Sequence, residues 1–273
     1  MTTAVVFAYH DVGVRCLSVL LDSGVKVPLV VTHRDDPAEK PWFDSVAGLS
    51  RSMKIETLED PAELRIPQAD LIFSFYYRRM LPQTILNHAG KGSFNMHGSL
   101  LPKYRGRSPV NWAILKGETE TGATLHEMTA KPDAGRIVDQ ERVPIGPDDI
   151  AVEVIRKVTD AAEAVLRRSI KNLIAGKARL IPQDLAKGSY FGGRRPEDGR
   201  IDWSKSAQEI HNLVRAVAPP YPGAFADGLK VFRTKIDLQL KAKKSGPYQE
   251  DGRWFAGCGD GKVLRLLEVI AEK

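Results

Sequence analysis

Asn95 and His97 stand two residues apart in the run SFNMH, residues 93–97. In an extended strand that spacing puts both side chains on one face, with Phe94 and Met96 on the other. An amide beside an imidazole suits acyl transfer. The amide can donate a hydrogen bond to an oxyanion as a carbonyl becomes tetrahedral, a role worth about 3–4 kcal/mol where one such donor is removed. The imidazole can take a proton from an attacking amine, for roughly 10²–10⁴ in rate. The chain has no G-x-S-x-G element, and neither Cys16 nor Cys258 lies beside a histidine. The residues therefore point to direct attack by the acceptor, without a covalent enzyme intermediate. A histidine that gains charge needs a carboxylate to orient it. Asp133, in the turn AKPDAG, is the candidate.

Each of these residues also has an ordinary reading. A histidine at a strand end is commonly satisfied by a backbone group, and an Asp after Pro is a good turn former. The remaining histidines read more plainly. His10 with Asp11 looks like a helix N-cap region, although it also ends a strand and so can line a site. His126 reads as a strand position, and His33, His88 and His211 as surface or packing residues.

The elements that must position the pair follow from periodicity. AVVFAY (4–9), VPLVVTH (27–33), DLIFSFYY (70–77) and SFNMH (93–97) read as strands. Between them, 14–24, 42–53 and 81–92 carry helical spacing, and 109–117 carries it again. This βα alternation predicts an α/β fold: a Rossmann-like, mostly parallel sheet with helices on both faces. Ligands of such sheets bind outside the carboxyl ends of the strands, where His97 falls. Residues 122–129 and 135–145 read as two extended segments about the KPDAG turn, and 148–177 as a long amphipathic helix with acidic residues first and basic ones last. The glycine- and arginine-rich 188–200 reads as a linker, 206–217 as a last helix, and the tail as a small barrel-like β subdomain. The expected domains are thus 1–187, a linker and helix over 188–222, and 223–273. YHDVGVRCL, after the first strand, lacks the G-x-G-x-x-G phosphate cradle, so a dinucleotide cofactor is not expected.

At 273 residues, with 42% apolar and 27% charged residues, the chain is long enough for a sizeable core and ordinary in composition. The net charge of +6 favours anionic ligands. MTTAVVFAYHDVG carries no signal-peptide pattern, no apolar run reaches membrane-span length, and the two distant cysteines fit a reducing cytoplasm and no metal site.

The stretch FNMHGSLLPKYRGRSPVNWAILKGETETGATLHEMTAKPDAGRIV closely resembles the 10-formyltetrahydrofolate-dependent formyltransferases. The likeness runs from VVFAYHDVG to VRAVAPPYPGAF and CGDG, nearly the whole chain, and N-x-H-x-S-L-L-P with a downstream D-A-G carries it. Within the family the chain is most similar to sugar N-formyltransferases of the ArnA type, which formylate UDP-4-amino-4-deoxy-L-arabinose in lipid A modification. The resemblance implies that Asn95 stabilises the oxyanion, His97 is base and acid, and Asp133 tunes His97. It implies N10-formyltetrahydrofolate as co-substrate, without a metal, contacted by Arg79, Met80, Leu81 and Arg107 and by Thr129, Ala130, Lys131, Pro132 and Asp133. It implies an acceptor site that includes His10, Tyr104, Tyr190 and Arg194, the last placed for a diphosphate. The loop FGGRRPEDG departs from the family's FGRRTP or FGKRTP: Gly193 stands where a cation is expected, and Arg195 replaces threonine. The alternative within the family is a methionyl-tRNA formyltransferase, the one reading that calls for nucleic acid. That branch carries a longer C-terminal barrel than the short tail here.

Overall fold

The computed structural model describes residues 1–35 and 42–271. The first strand, β1 (Thr3–Ala8), is buried along almost its whole length, as the apolar run AVVFA requires. It is followed by α1 (His10–Asp22), β2 (Lys26–Thr32), α2 (Val46–Ser52), β3 (Glu56–Glu59), β4 (Leu71–Phe75), α3 (Gln83–Leu86) and β5 (Ser93–His97). After β6 (Arg105–Gly106) and α4 (Pro109–Leu115) come β7 (Glu120–Glu127), β8 (Ile137–Pro144) and the long α5 (Ala151–Ile174).

These strands form a seven-stranded sheet in the order β3-β2-β1-β4-β5-β7-β8. The strands from β3 to β5 pair in parallel, and β5 pairs antiparallel with β7. The expected mostly parallel sheet is therefore present. Because β2 and β3 lie on one side of β1 and β4 on the other, the strand order reverses between β1 and β4, the place where open α/β sheets bind ligands. Val5, Phe7, Leu29, Val31 and Ile72 pack on one face of this sheet with Leu81, Ile85 and Leu86.

Two predicted helices are shorter than their patterns. The one expected over 42–53 begins at Val46, where the Ser45 hydroxyl caps Gly48 N–H at 3.2 Å. Trp42 and Phe43 fail to join it because their rings lie against His10 instead. The one expected over 81–92 keeps only Gln83–Leu86, since the backbone at 88 and 90 turns to bond Ala69.

The remaining elements are β9 (Tyr190–Phe191), α6 (Ala207–Ala216) and five strands: β10 (Ala224–Ala226), β11 (Leu229–Asp237), β12 (Gly246–Glu250), β13 (Arg253–Gly257) and β14 (Val263–Ala271). The five form an antiparallel sheet in the order β10-β11-β14-β13-β12. Helix α6 starts at a reciprocal capping box between Ser206 and Glu209 and buries Ile210 and Val214 in a core with Val231, Leu264 and Leu266. The chain divides into two compact units. One comprises 1–106, 122–143 and 157–190, and the other 107–121, 144–156 and 191–273. Among the described residues no helix is long and apolar enough to cross a membrane.

Candidate functional site

The site begins with the register of β5. Asn95 and His97 lie on one face, and the antiparallel partner β7 sets His126 directly opposite Asn95 and Thr124 opposite His97. Directly opposed residues share a face, so the amide and two imidazoles converge. The turn after β7 then returns Asp133 to them. Asp133 has φ 49°, a left-handed conformation that Asp tolerates better than most residues. Gly135 is needed two residues later: a Cβ there would stand 1.9 Å from the carbonyl oxygen of Glu127. The D-A-G motif is thus a geometric requirement for folding the carboxylate back over β5. Gln183 fastens the turn by donating to the carbonyl oxygens of Asp133 at 3.0 Å and Gly135 at 2.6 Å.

One carboxylate oxygen of Asp133 faces three nitrogens: Asn95 Nδ2 and His126 Nε2 at 3.5 Å, and His97 Nδ1 at 3.7 Å. The other accepts the backbone N–H of Gly106 at 2.8 Å. Burial alone would push the carboxyl up. The charge that His97 and His126 carry when protonated, together with the Gly106 N–H, outweighs it and holds Asp133 well below the usual carboxylate range.

Hydrogen-bond chemistry assigns the protons. His97 Nε2 lies 2.8 Å from the carbonyl oxygen of Tyr104. A carbonyl only accepts, so Nε2 carries the hydrogen and the lone pair of the neutral ring sits on Nδ1, towards Asp133. His126 Nδ1 is likewise 2.8 Å from the carbonyl oxygen of Glu127, so its Nε2 is the acceptor. It accepts from Asn95 Nδ2 at 3.1 Å. That bond orients the Asn95 amide. Its second hydrogen meets Asp133 only at the long limit of 3.5 Å and can be given up to a stronger acceptor. The arrangement offers a base atom at His97 Nδ1, an anion ready to stabilise the imidazolium, and an oriented amide donor. These are the parts for moving an acyl group between nucleophiles.

His97 is 6% exposed, so it is more enclosed than its position at a strand end implies. Sequence reading missed the part played by His126, which looked like a plain strand residue. It also missed Gly106 and Gln183. Only the pairing of β5 with β7 distinguishes His126 from any other strand histidine.

The other expected site residues are scattered. Tyr104 is buried and meets His97 through its carbonyl oxygen. Arg79 is paired with Asp60 at 2.8 Å, in a cluster where Asp60 also bonds His33 Nδ1 at 2.7 Å. Met80 is 62% exposed, whereas Leu81 is packed in the core. Thr129 bonds the carbonyl oxygen of Lys131 at 3.0 Å, Ala130 and Lys131 are exposed, and Pro132 is half-buried. Tyr190 is 57% exposed.

His10 lies at the switch point between β1 and β4 with φ 66°, beside Tyr76 with φ 59°. Its ring stacks on Phe43 at 4.4 Å and meets Trp42 edge-on at 4.5 Å. It caps nothing: the N-cap of α1 is Tyr9, with no side-chain cap bond. Burial, helped by the charge of Arg78, lowers its pKa to about 4.

Arg107 and Arg194 belong to the second unit. Trp112 stacks on Phe191 at 4.7 Å and donates through Nε1 to the carbonyl oxygen of Gly192 at 3.0 Å. The Arg194 guanidinium lies over the Trp112 ring at 5.0 Å, and Arg107 N–H bonds the carbonyl oxygen of Phe191 at 3.0 Å. Among the described residues no group of three or more His, Cys, Asp and Glu could hold a metal ion.

A mixed sheet bearing an amide, two histidines and a carboxylate at the end of a central strand defines an enzyme of the acyl-transfer type. Residues 22–170 match the formyl transferase family and 194–273 match its C-terminal domain, and the chain belongs to that family. It is a formyltransferase. Solved structures share the fold at low sequence identity. The N-formyltransferase from Helicobacter canadensis, in complex with folinic acid and dTDP-3-aminofucose, is 22% identical at TM-score 0.81, over 97% of this chain and 99% of that one. WlaRD, a sugar 3N-formyl transferase with dTDP and 5-N-formyl-THF, is 22% identical at TM-score 0.82, over 97% of each chain. HypX from Aquifex aeolicus, in complex with tetrahydrofolic acid, is 20% identical at TM-score 0.66, over 100% of this chain and 44% of its own length.

Proposed function

We propose that the enzyme transfers the formyl group of N10-formyltetrahydrofolate to the amine of a nucleotide-linked amino sugar. The observation that carries this reading is the Asp133 cluster, in which Nδ1 of His97 is the free base atom. The donor supplies an activated formyl carbon. The acceptor amine attacks that carbon, and its N–H proton passes to His97 Nδ1. Asp133 stabilises the imidazolium, and the loosely held second hydrogen of Asn95 Nδ2 meets the oxyanion. His97 then returns the proton to the departing folate nitrogen as the carbon–nitrogen bond to it breaks.

The folate reading is supported by Met80, an apolar side chain held 62% exposed, and by the exposed segment through Ala130 and Lys131. Aromatic rings of a pterin type fit apolar surface with backbone polar groups at its edge. For the acceptor, UDP-4-amino-4-deoxy-L-arabinose, and with it a place in lipid A modification, is favoured by likeness of sequence. A dTDP-amino sugar is the other candidate, since one structural neighbour holds dTDP-3-aminofucose and another holds dTDP. His10, Tyr104 and Tyr190 are proposed for the acceptor side, with Arg194 for its diphosphate.

The test is a formyl-transfer assay with N10-formyltetrahydrofolate against UDP-4-amino-4-deoxy-L-arabinose, dTDP-3-aminofucose and methionyl-tRNA in parallel. Turnover of a sugar nucleotide alone is expected. Turnover of methionyl-tRNA alone would replace this reading with the tRNA-modifying one.

A further inference from the structure

Which nitrogen of His97 is the base depends on which of two acceptors takes the one hydrogen of its neutral ring. The Tyr104 carbonyl oxygen faces Nε2 at 2.8 Å, and Asp133 Oδ1 faces Nδ1 at 3.7 Å. A carboxylate is the stronger acceptor, since hydrogen bonds to an ionised group are roughly twice as strong as those between neutral groups. The carbonyl wins by closeness. If Tyr104 drew back, the hydrogen would pass to Nδ1, towards Asp133, and the free lone pair would leave that nitrogen.

Tyr104 needs support to stay where it is. Its φ is 56°, a left-handed backbone that is uncommon for a bulky residue and persists only where the surroundings fix it. Ser189 Oγ accepts the Tyr104 N–H at 2.9 Å. Buried Ser99 donates its hydroxyl hydrogen to the Lys103 carbonyl oxygen at 2.7 Å. The Thr124 hydroxyl, directly across the β5–β7 pair from His97, donates to the Ser99 carbonyl oxygen at 2.6 Å and accepts the Leu101 N–H at 3.2 Å.

Gln140 of β8 completes this set. A carbonyl only accepts, so the Gln140 amide presents Nε2 to the Leu101 oxygen, at 2.9 Å, and its second hydrogen goes to Thr124 Oγ1 at 2.8 Å. The Thr124 hydroxyl then has its one hydrogen and both lone pairs engaged. The Gln140 backbone is anchored in turn by α5, where Arg168 Nη2 donates to its carbonyl oxygen at 2.7 Å. Leu101 is 4% exposed, and among the described residues Gln140 is the one donor to its carbonyl. Without that donor a buried carbonyl is left unpaired, a costly state that the loop relieves by moving towards water.

We propose that Gln140 is a positioning residue for the transfer step: by holding the 98–104 loop against β7 it keeps the Tyr104 carbonyl on His97 Nε2 and so keeps the base lone pair on Nδ1. This role rests on the reading of His97 as a base through Nδ1, and tautomer and rate are measured separately so that the two can fail apart.

Long-range nitrogen–proton NMR correlation spectra of the full chain, isotope-labelled at histidine, report which ring nitrogen carries the hydrogen. Wild type, Gln140→Met and Gln140→Glu are compared at pH ~8, where an ordinary imidazole is neutral. His97 is assigned by its loss in His97→Ala, and thermal melts confirm folding. Gln140→Met removes both donors. Gln140→Glu keeps the shape but cannot donate to Leu101, so either variant reports if the other fails to fold. Wild-type His97 is expected to carry its hydrogen on Nε2. Both variants should move it towards Nδ1, while His126 keeps its own on Nδ1 as an internal control. Their kcat should fall about ten- to hundredfold, part of the roughly 10⁴ that a wrong histidine tautomer costs a serine protease, with the KM for the folate donor little changed. An unmoved hydrogen at His97 in a folded variant overturns the role of Gln140, whatever the rate, and leaves the base reading intact. A moved hydrogen without loss of rate, or wild-type His97 with its hydrogen on Nδ1 or on both nitrogens, overturns both.

Discussion

Asn95 and His126 face one another across the antiparallel pair β5–β7, with Nδ2 of the amide 3.1 Å from Nε2 of the imidazole. Because Nδ1 of the neutral His126 ring donates to the Glu127 carbonyl oxygen, its Nε2 accepts from Asn95 and orients that amide. His126 is thus a positioning residue. Replacing it by Leu should lower kcat by about tenfold or more with KM little changed, because the donor meets the oxyanion only as the transition state forms. His126→Gln, which can still accept through its amide oxygen, should restore part of the rate. Equal loss in both variants would argue against the orienting role.

Removing the reacting groups themselves should cost more. His97→Ala is expected to lower kcat by roughly 10²–10⁴, and Asn95→Ala by roughly 10²–10³. His97 is buried, so its truncation also leaves a cavity and a lowered melting temperature, whereas half-buried Asn95 should melt close to wild type. Single-turnover formyl transfer with parallel thermal melts reads both effects.

Asp133 links the site to stability in acid. Its folded carboxyl is held below the ordinary value of 3.8, so the folded state binds the proton less readily than the unfolded one. The stabilisation is fully present above the unfolded pKa of about 4 and is lost as pH falls below it. Asp133→Asn keeps the shape and tolerates φ 49° but removes the charge. The gap in urea stability between wild type and variant should therefore be widest at neutral pH and close below pH ~4. At neutral pH the variant's kcat should fall by something on the order of 10²–10⁴, through loss of imidazolium stabilisation.

Gly135 is the residue of the D-A-G turn that admits no side chain. A methyl group at 135 meets the Glu127 carbonyl at 1.9 Å, and backbone cannot yield as a flexible side chain can. Gly135→Ala should destabilise by about 1–3 kcal/mol or more. It should also reduce activity by moving Asp133 away from β5. A variant with wild-type melting and wild-type rate would show that the turn carries no such constraint.

His10, lowered to about 4 by burial and the charge of Arg78, gives a second pH signature of defined sign. The unfolded chain takes up this proton near pH 6.5 and the folded chain does not, so stability falls as pH drops from about 6.5 towards 4. His10→Asn removes the titration and accepts φ 66°. Between pH 7 and 4.5 the variant should lose less stability than wild type, as measured by urea unfolding.

Much of this molecule is written in local pattern. The apolar runs of β1, β4 and β5 name buried strands, and alternation in SFNMH puts Asn95 and His97 on one face without any knowledge of their neighbours. The helical spacing of α1 and α5, and the turn residues of KPDAG, are equally local. The tertiary structure decided what lies across a strand pair or beyond a turn. His126 becomes part of the site only because β7 runs antiparallel to β5 in a register that opposes it to Asn95. Trp42 and Phe43 leave their helical pattern because the His10 ring offers them more contact than a frayed first turn. Arg107 lies beside Gly193, with its backbone N–H bonded to the Phe191 carbonyl oxygen, a pairing between residues more than eighty positions apart. Periodicity reports which face a side chain takes, since that depends on one residue's neighbours in the chain. Which two faces meet depends on long-range pairing, and the sequence encodes that only through the packing of the whole fold.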